Sequence, residues 1–172
     1  IGRTLNMWNE LRNVSEDPSN ADNPTLVSIS RSSKKVIDIA TTTARSAWIK
    51  VNQVIPENIV LATDKEQFLT FFNALTKIIF DRTTSNGNIL YELSQLEHGK
   101  VMLKFSFSTD AGTYRLMTEE QGDLSVCLQS AERMRVRTAH TYSLNKHEAS
   151  VEVILQSTYT ANSLEAAQIQ IK

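Results

Sequence analysis

Between Asp64 and Thr83 the apolar residues fall at helical spacing. Phe68, Phe71, Phe72, Leu75, Ile78 and Ile79 repeat at i, i+3, i+4 and i+7 behind a capping box made by Asp64 and Gln67. This predicts the central buried helix, stopped by Thr83-Thr84-Ser85-Asn86-Gly87. Downstream the period changes to two. Ile89 to Leu96 and Val101 to Phe107 flank the turn Glu97-His98-Gly99-Lys100, with Val101, Leu103, Phe105 and Phe107 alternating against Met102, Lys104 and Ser106. That alternation predicts an antiparallel hairpin with one face in the core.

The same reading predicts the remaining elements. Leu26, Val27 and Ile29 form a short strand, and Ser30 caps a helix from about Arg31 to Ala47 with Val36, Ile37, Ala40 and Ala44 facing inward. Trp48, Ile49, Val51 and Val54 form a strand that ends at Ile55-Pro56-Glu57-Asn58, and Ile59 to Ala62 returns as another. A third helix fits Gln121 to Met134. A second hairpin fits Arg135 to Tyr142 and Ala149 to Gln156, around Asn145-Lys146-His147-Glu148. The expected fold class is α+β, a two-layer sandwich of a mixed, mostly antiparallel sheet with about three helices on one face. The expected organisation is a helical stub and linker at 1–24, a domain at 25–155 and an extension at 156–172. Turn formers from Ser15 to Pro24 mark the linker.

Composition narrows the chemistry. The 172 residues hold 18 Lys and Arg against 19 Asp and Glu, a formal net charge of -1, so no electrostatic pull toward nucleic acid or anionic lipid is expected. No apolar run approaches the roughly 20 residues of a membrane span. The single cysteine, Cys127, excludes an internal disulfide and suits a reducing compartment, so cytoplasm is the expected location, on its own or as the cytoplasmic part of a membrane-anchored sensor. The chain begins at Ile1 without an initiator Met and is read as a piece of something larger. There are only five glycines, at 2, 87, 99, 112 and 122, which restricts any phosphate site, because backbone amides approach phosphate most easily through Gly.

No catalytic residue is assigned. His98, His140 and His147 fall in turns or a strand, without partners at metal-ligand spacing, so no metal site is expected. Cys127 lies on the buried side of a predicted helix, where thiols are inert, and no Gly-x-Ser-x-Gly elbow exists. Arg133, Arg135 and Arg137, at alternating strand positions, with Lys146 form a basic strip able to contact an acidic partner surface; the alternative is the wet face of a hairpin.

The order of elements resembles the nucleotide-binding catalytic domain of sensor histidine kinases, the GHKL or Bergerat fold. The passage Ile55 to Phe68 is similar to the family's route from its second strand through a proline turn into the long helix. Gly122-Asp123-Leu124-Ser125-Val126-Cys127-Leu128 is similar to the family's Gly-Leu-Gly-Leu-Ser-Ile-Val helix start. The resemblance covers about Thr25 to Leu155. It implies three ATP-holding elements: an Asn on the long helix that ligates magnesium, an Asp-x-Gly-x-Gly turn whose carboxylate reads adenine, and a lid with a Gly-x-Gly phosphate loop.

Each element departs from the family's pattern. Lys77 stands where the Asn belongs, and an ammonium cannot ligate magnesium. Moving Asn73 there breaks the phase of the apolar stripe. Asp110 and Gly112 remain from the adenine turn, but Tyr114 replaces its second glycine. Only Thr113 to Gln121 separate Gly112 from Gly122, too little for a lid, and Asp123 follows in place of a glycine. A carboxylate there opposes the anion site that helix amides otherwise offer. Asp110 is the remaining candidate for adenine contact, with turn formation as its plain alternative, and Lys77 reads equally as a solvated lysine.

The resemblance therefore implies a degenerate, non-catalytic version of the fold that binds no cofactor, a pseudokinase. Such domains are similar to those of bacterial relay phosphotransfer proteins, the Rcs kind among them. A receiver, kinase or phosphotransfer domain is the expected partner, with no nucleic-acid or membrane contact. Two other readings stand beside it: an active ATP-binding kinase domain with an atypical pocket, and an unrelated α+β interaction domain.

Overall fold

A computed structural model describes residues 25–43, 48–131, 134 and 136–157. The expected stub and linker, most of the C-terminal extension, and Arg133 and Arg135 lie outside the described residues. Strands β1 (Leu26–Ser28) and β3 (Val60–Ala62) pair antiparallel as a separate ribbon. Five strands make the main sheet in the order β2-β4-β5-β7-β6. They are β2 (Lys50–Val54), β4 (Asn88–Gln95), β5 (Val101–Ser108), β6 (Val136–Ser143) and β7 (Glu148–Leu155). β2 runs parallel to β4 and every other pair is antiparallel, so the mixed α+β sandwich read from the sequence is the observed architecture.

Four helices accompany the sheet among the described residues: α1 (Ile29–Thr43), α2 (Lys65–Arg82), α3 (Ala111–Thr118) and α4 (Asp123–Ala131). α2 begins as the sequence predicts, with the Asp64 carboxylate accepting the Gln67 N–H at 3.0 Å. Its buried side is Phe68, Phe71, Phe72, Leu75, Thr76, Ile79 and Phe80. Against it lie Ile89, Tyr91 and Leu93 of β4, Val101 to Phe107 at every second position of β5, and Ala149, Val151, Val153 and Leu155 of β7. Phe72 is the hub. Its ring stacks on Phe68 at 5.6 Å and Phe105 at 5.9 Å and meets Tyr91 edge-on at 5.5 Å, pairs that each add about 0.5–1.5 kcal/mol beyond the area they bury.

Several element ends shift by one to three residues, and two differences from the sequence reading have a clear local reason. Ile29 opens α1 instead of closing β1, because the Ser28 hydroxyl accepts the Arg31 N–H at 3.2 Å and caps the helix. Ser30 is engaged elsewhere: its hydroxyl donates to the Pro56 carbonyl at 2.6 Å and accepts the Ile59 N–H at 3.0 Å, tying α1 to the proline turn. The larger difference is α3, which the sequence reading treats as linker. Met117 is its only buried residue, so it carries no apolar stripe to read. No helix among the described residues is long and apolar enough to cross a membrane.

Candidate functional site

The resemblance places its three nucleotide elements around the C-terminal half of α2, the end of β5 and the start of α4. That region is tightly bonded to itself. Thr109, nearly fully buried, follows β5 and uses every polar group it has. Its N–H donates to the His147 carbonyl at 3.0 Å, its hydroxyl donates to the Arg82 carbonyl at 3.0 Å, and its own carbonyl accepts the Tyr142 hydroxyl at 3.1 Å. One residue thereby joins α2, the β6–β7 turn and β6. Just before it, Ser108 accepts the Thr84 N–H at its carbonyl (2.9 Å) and the Asn88 N–H at its hydroxyl (3.0 Å).

Asp110 is the N-cap of α3. Its carboxylate accepts the Thr113 N–H at 2.8 Å and the Thr113 hydroxyl at 3.0 Å, and these bonds hold its carboxyl below the usual range. The side chain is exposed, and its oxygens are engaged by its own helix. Gly112 lies exposed in the first turn of α3 without a positive φ. Gly122 closes the joint between α3 and α4. A Cβ there would overlap the carbonyls of Leu116 and Met117, so the missing side chain lets the backbone of α3 pack against it. The Gly122 N–H donates to Glu119 at 2.8 Å, and the Ser125 hydroxyl donates to Thr118 at 2.8 Å. Most of the stretch read as a lid remnant is thus helix, and only Glu119 to Gly122 connect the two helices.

Lys77 is exposed on α2 and makes no ion pair among the described residues. No bond joins it to Asp110, Gly112 or Gly122. Asp123 does not stand alone at the α4 start. Arg82, on the last turn of α2, donates Nε at 2.9 Å and Nη2 at 2.8 Å to its Oδ2, bridging the two helices. Oδ1 is buried without a partner. Sequence reading missed this pair, since 41 residues separate its members and no local spacing signals it. It missed equally the cluster of Tyr114, His140 and Tyr142, in which the Tyr114 hydroxyl lies 2.6 Å from His140 Nδ1 and its ring stacks on Tyr142 at 5.1 Å.

His98 and His147 hold positive φ in hairpin turns. Among the described residues no group of three or more His, Cys, Asp or Glu is placed to hold a metal ion. Cys127 is buried, and that burial, with the Asp123 charge beside it, pushes its thiol up to about 11. Of the basic strip, Arg137 is exposed on β6 and Lys146 in the turn after it.

No protein-family model matches the sequence, and no curated protein matches it. The architecture, however, has solved counterparts. The nucleotide-free catalytic domain of histidine kinase ThkA superposes with a TM-score of 0.62 at 12% identity, over 78% of this chain and 97% of that one. The fold is that of a histidine kinase catalytic domain. The mycobacterial sensor histidine kinase MprB gives 0.62 at 10% identity over 77% and 96%, and the Acinetobacter baumannii histidine kinase AdeS gives 0.60 at 14% over 90% and 82%. The resemblance read from the sequence therefore holds at the level of the fold, which disfavours an unrelated α+β architecture. At these identities the likeness speaks for the fold and leaves activity to the site.

Proposed function

We propose that the chain is a non-catalytic, ATPase-like pseudokinase module of a two-component or phosphorelay protein, such as a phosphotransfer protein of the Rcs kind. It works in the cytoplasm as a scaffold that docks a receiver, kinase or phosphotransfer domain. One observation carries this reading: the segment from Thr109 to Gly122 bonds to its own framework through the residues that the family's pattern reserves for adenine, lid and phosphate. Asp110 caps α3, Gly122 seats the backbone of α3, and Arg82 occupies the Asp123 carboxylate. Lys77, at the position of the magnesium ligand, offers only donors.

Thermal melting with Mg-ATP tests the loss of nucleotide binding. A native-state ligand at one hundred times its dissociation constant adds about 2.7 kcal/mol, a shift of several degrees for a chain of this size. The expected result is no shift at millimolar Mg-ATP. A shift would instead support an active kinase domain with an atypical pocket. Titration against purified receiver and phosphotransfer domains tests the scaffold role, and failure to bind any of them would remove it.

A further inference from the structure

The two edges of the main sheet are unequal. β2 is five residues long, and α1 reaches it through the Gln53 Nε2 bond to Asp38 at 2.9 Å. β6 is eight residues long and, among the described residues, pairs along its whole length with β7 on one side only. From Arg137 to Thr141 it is exposed without interruption, so both its faces meet solvent. On the helical side Tyr114 bonds His140 and stacks on Tyr142, and Val136 and Tyr142 at the two ends of β6 pack on the core. A long edge wet on both sides presents a row of unpaired N–H and C=O groups to any extended chain.

The chemistry of the edge is one-sided. From Val136, where β6 begins, through His147 the sequence has no carboxylate, against one Arg, one Lys and two His. Arg137 lies opposite Ile154 and has no ion pair among the described residues, and Lys146 has none either. Across the ladder β7 brings two carboxylates: Glu152 faces Ala139 and lies 3.9 Å from Lys104 on the other side, and Glu148 faces Ser143 beside the turn. Strands of natural proteins carry such charge to repel their own kind, and two copies of β6 edge to edge would set basic run against basic run.

We infer that β6 is a strand-addition site for an extended, acidic segment of a partner protein. The segment's backbone would continue the sheet beyond β6, with its carboxylates facing Arg137 and Lys146. This deepens the scaffold reading and rests on it for the partner's biology, while the edge itself rests on the geometry of the sheet.

The test uses the full chain with a fluorescein-labelled eight-residue peptide alternating glutamate and valine, a lysine–valine counterpart, and hydrogen exchange of the backbone amides. The acidic peptide is expected to bind saturably and slow exchange at every second amide between Arg137 and Ser143, since adjacent strand N–H groups point to opposite edges. Arg137→Glu is expected to weaken binding about fivefold, the scale of one exposed ion pair, without altering the fold. Equal affinity for the lysine peptide would overturn the inference. Protection at β2, or nowhere, would do so as well. β6 amides already protected in a chain that sediments as a dimer would assign the edge to a second copy and reject the acidic partner. Titration against purified receiver and phosphotransfer domains reads the scaffold proposal separately, so either idea can fail without the other.

Discussion

Gly122 has no room for a side chain, because the carbonyls of Leu116 and Met117 occupy the space a Cβ would take. Gly122→Ala must push α3 away from α4, and overpacking of this kind costs about 1–3 kcal/mol. The expected drop in melting temperature, checked by calorimetry, would contradict a free phosphate-loop glycine, which would tolerate alanine with little change. Cys127 carries an alkaline signature. Its folded pKa of about 11 stands above the ordinary thiol value, so native packing favours the neutral form. That contribution is complete below the unfolded pKa and is lost as pH rises toward 11. Alkylation at pH 8 should therefore be slow in the native chain and fast in denaturant, and stability should fall across the alkaline range more steeply than in Cys127→Ala.

At the scale of elements, α3 is the departure that matters most. It stands where the resemblance calls for a lid, and it is held by a cap at one end, a glycine joint at the other and Tyr114 between. Asp110→Ala removes the cap and should lower the melting temperature at neutral pH. Because the bonds from Thr113 depress the Asp110 carboxyl, the stabilisation is present above the unfolded pKa and fades as pH falls through the folded one. The gap between wild type and variant should accordingly close in acid. A gap independent of pH would mean that something other than the charged cap holds α3. The sequence reading has Asp110 structurally as a turn former at most and sees no helix after it, since eight residues with one buried side chain leave no periodic trace.

For the whole molecule, the proposed pseudokinase reading rests on three separate replacements, and on that reading repairing one leaves two. Lys77→Asn restores an oxygen ligand on α2, yet Asp110 remains committed to α3 and Gly122 to the helix joint. The variant is expected to show no Mg-ATP-dependent melting shift, and a clear shift would mean that the cation ligand alone had been missing. The sheet, the long helix and both hairpins were legible in the chain because their apolar periods, 3.6 in α2 and two in β4, β5 and β7, repeat over enough residues to dominate local noise. What Asp110 bonds to, why Gly122 must be glycine, that Arg82 answers Asp123 and that β6 is exposed from Arg137 to Thr141 were settled only by packing. Each depends on residues far apart in sequence and close in space, and periodicity records which side of an element is apolar without recording what comes to lie against it.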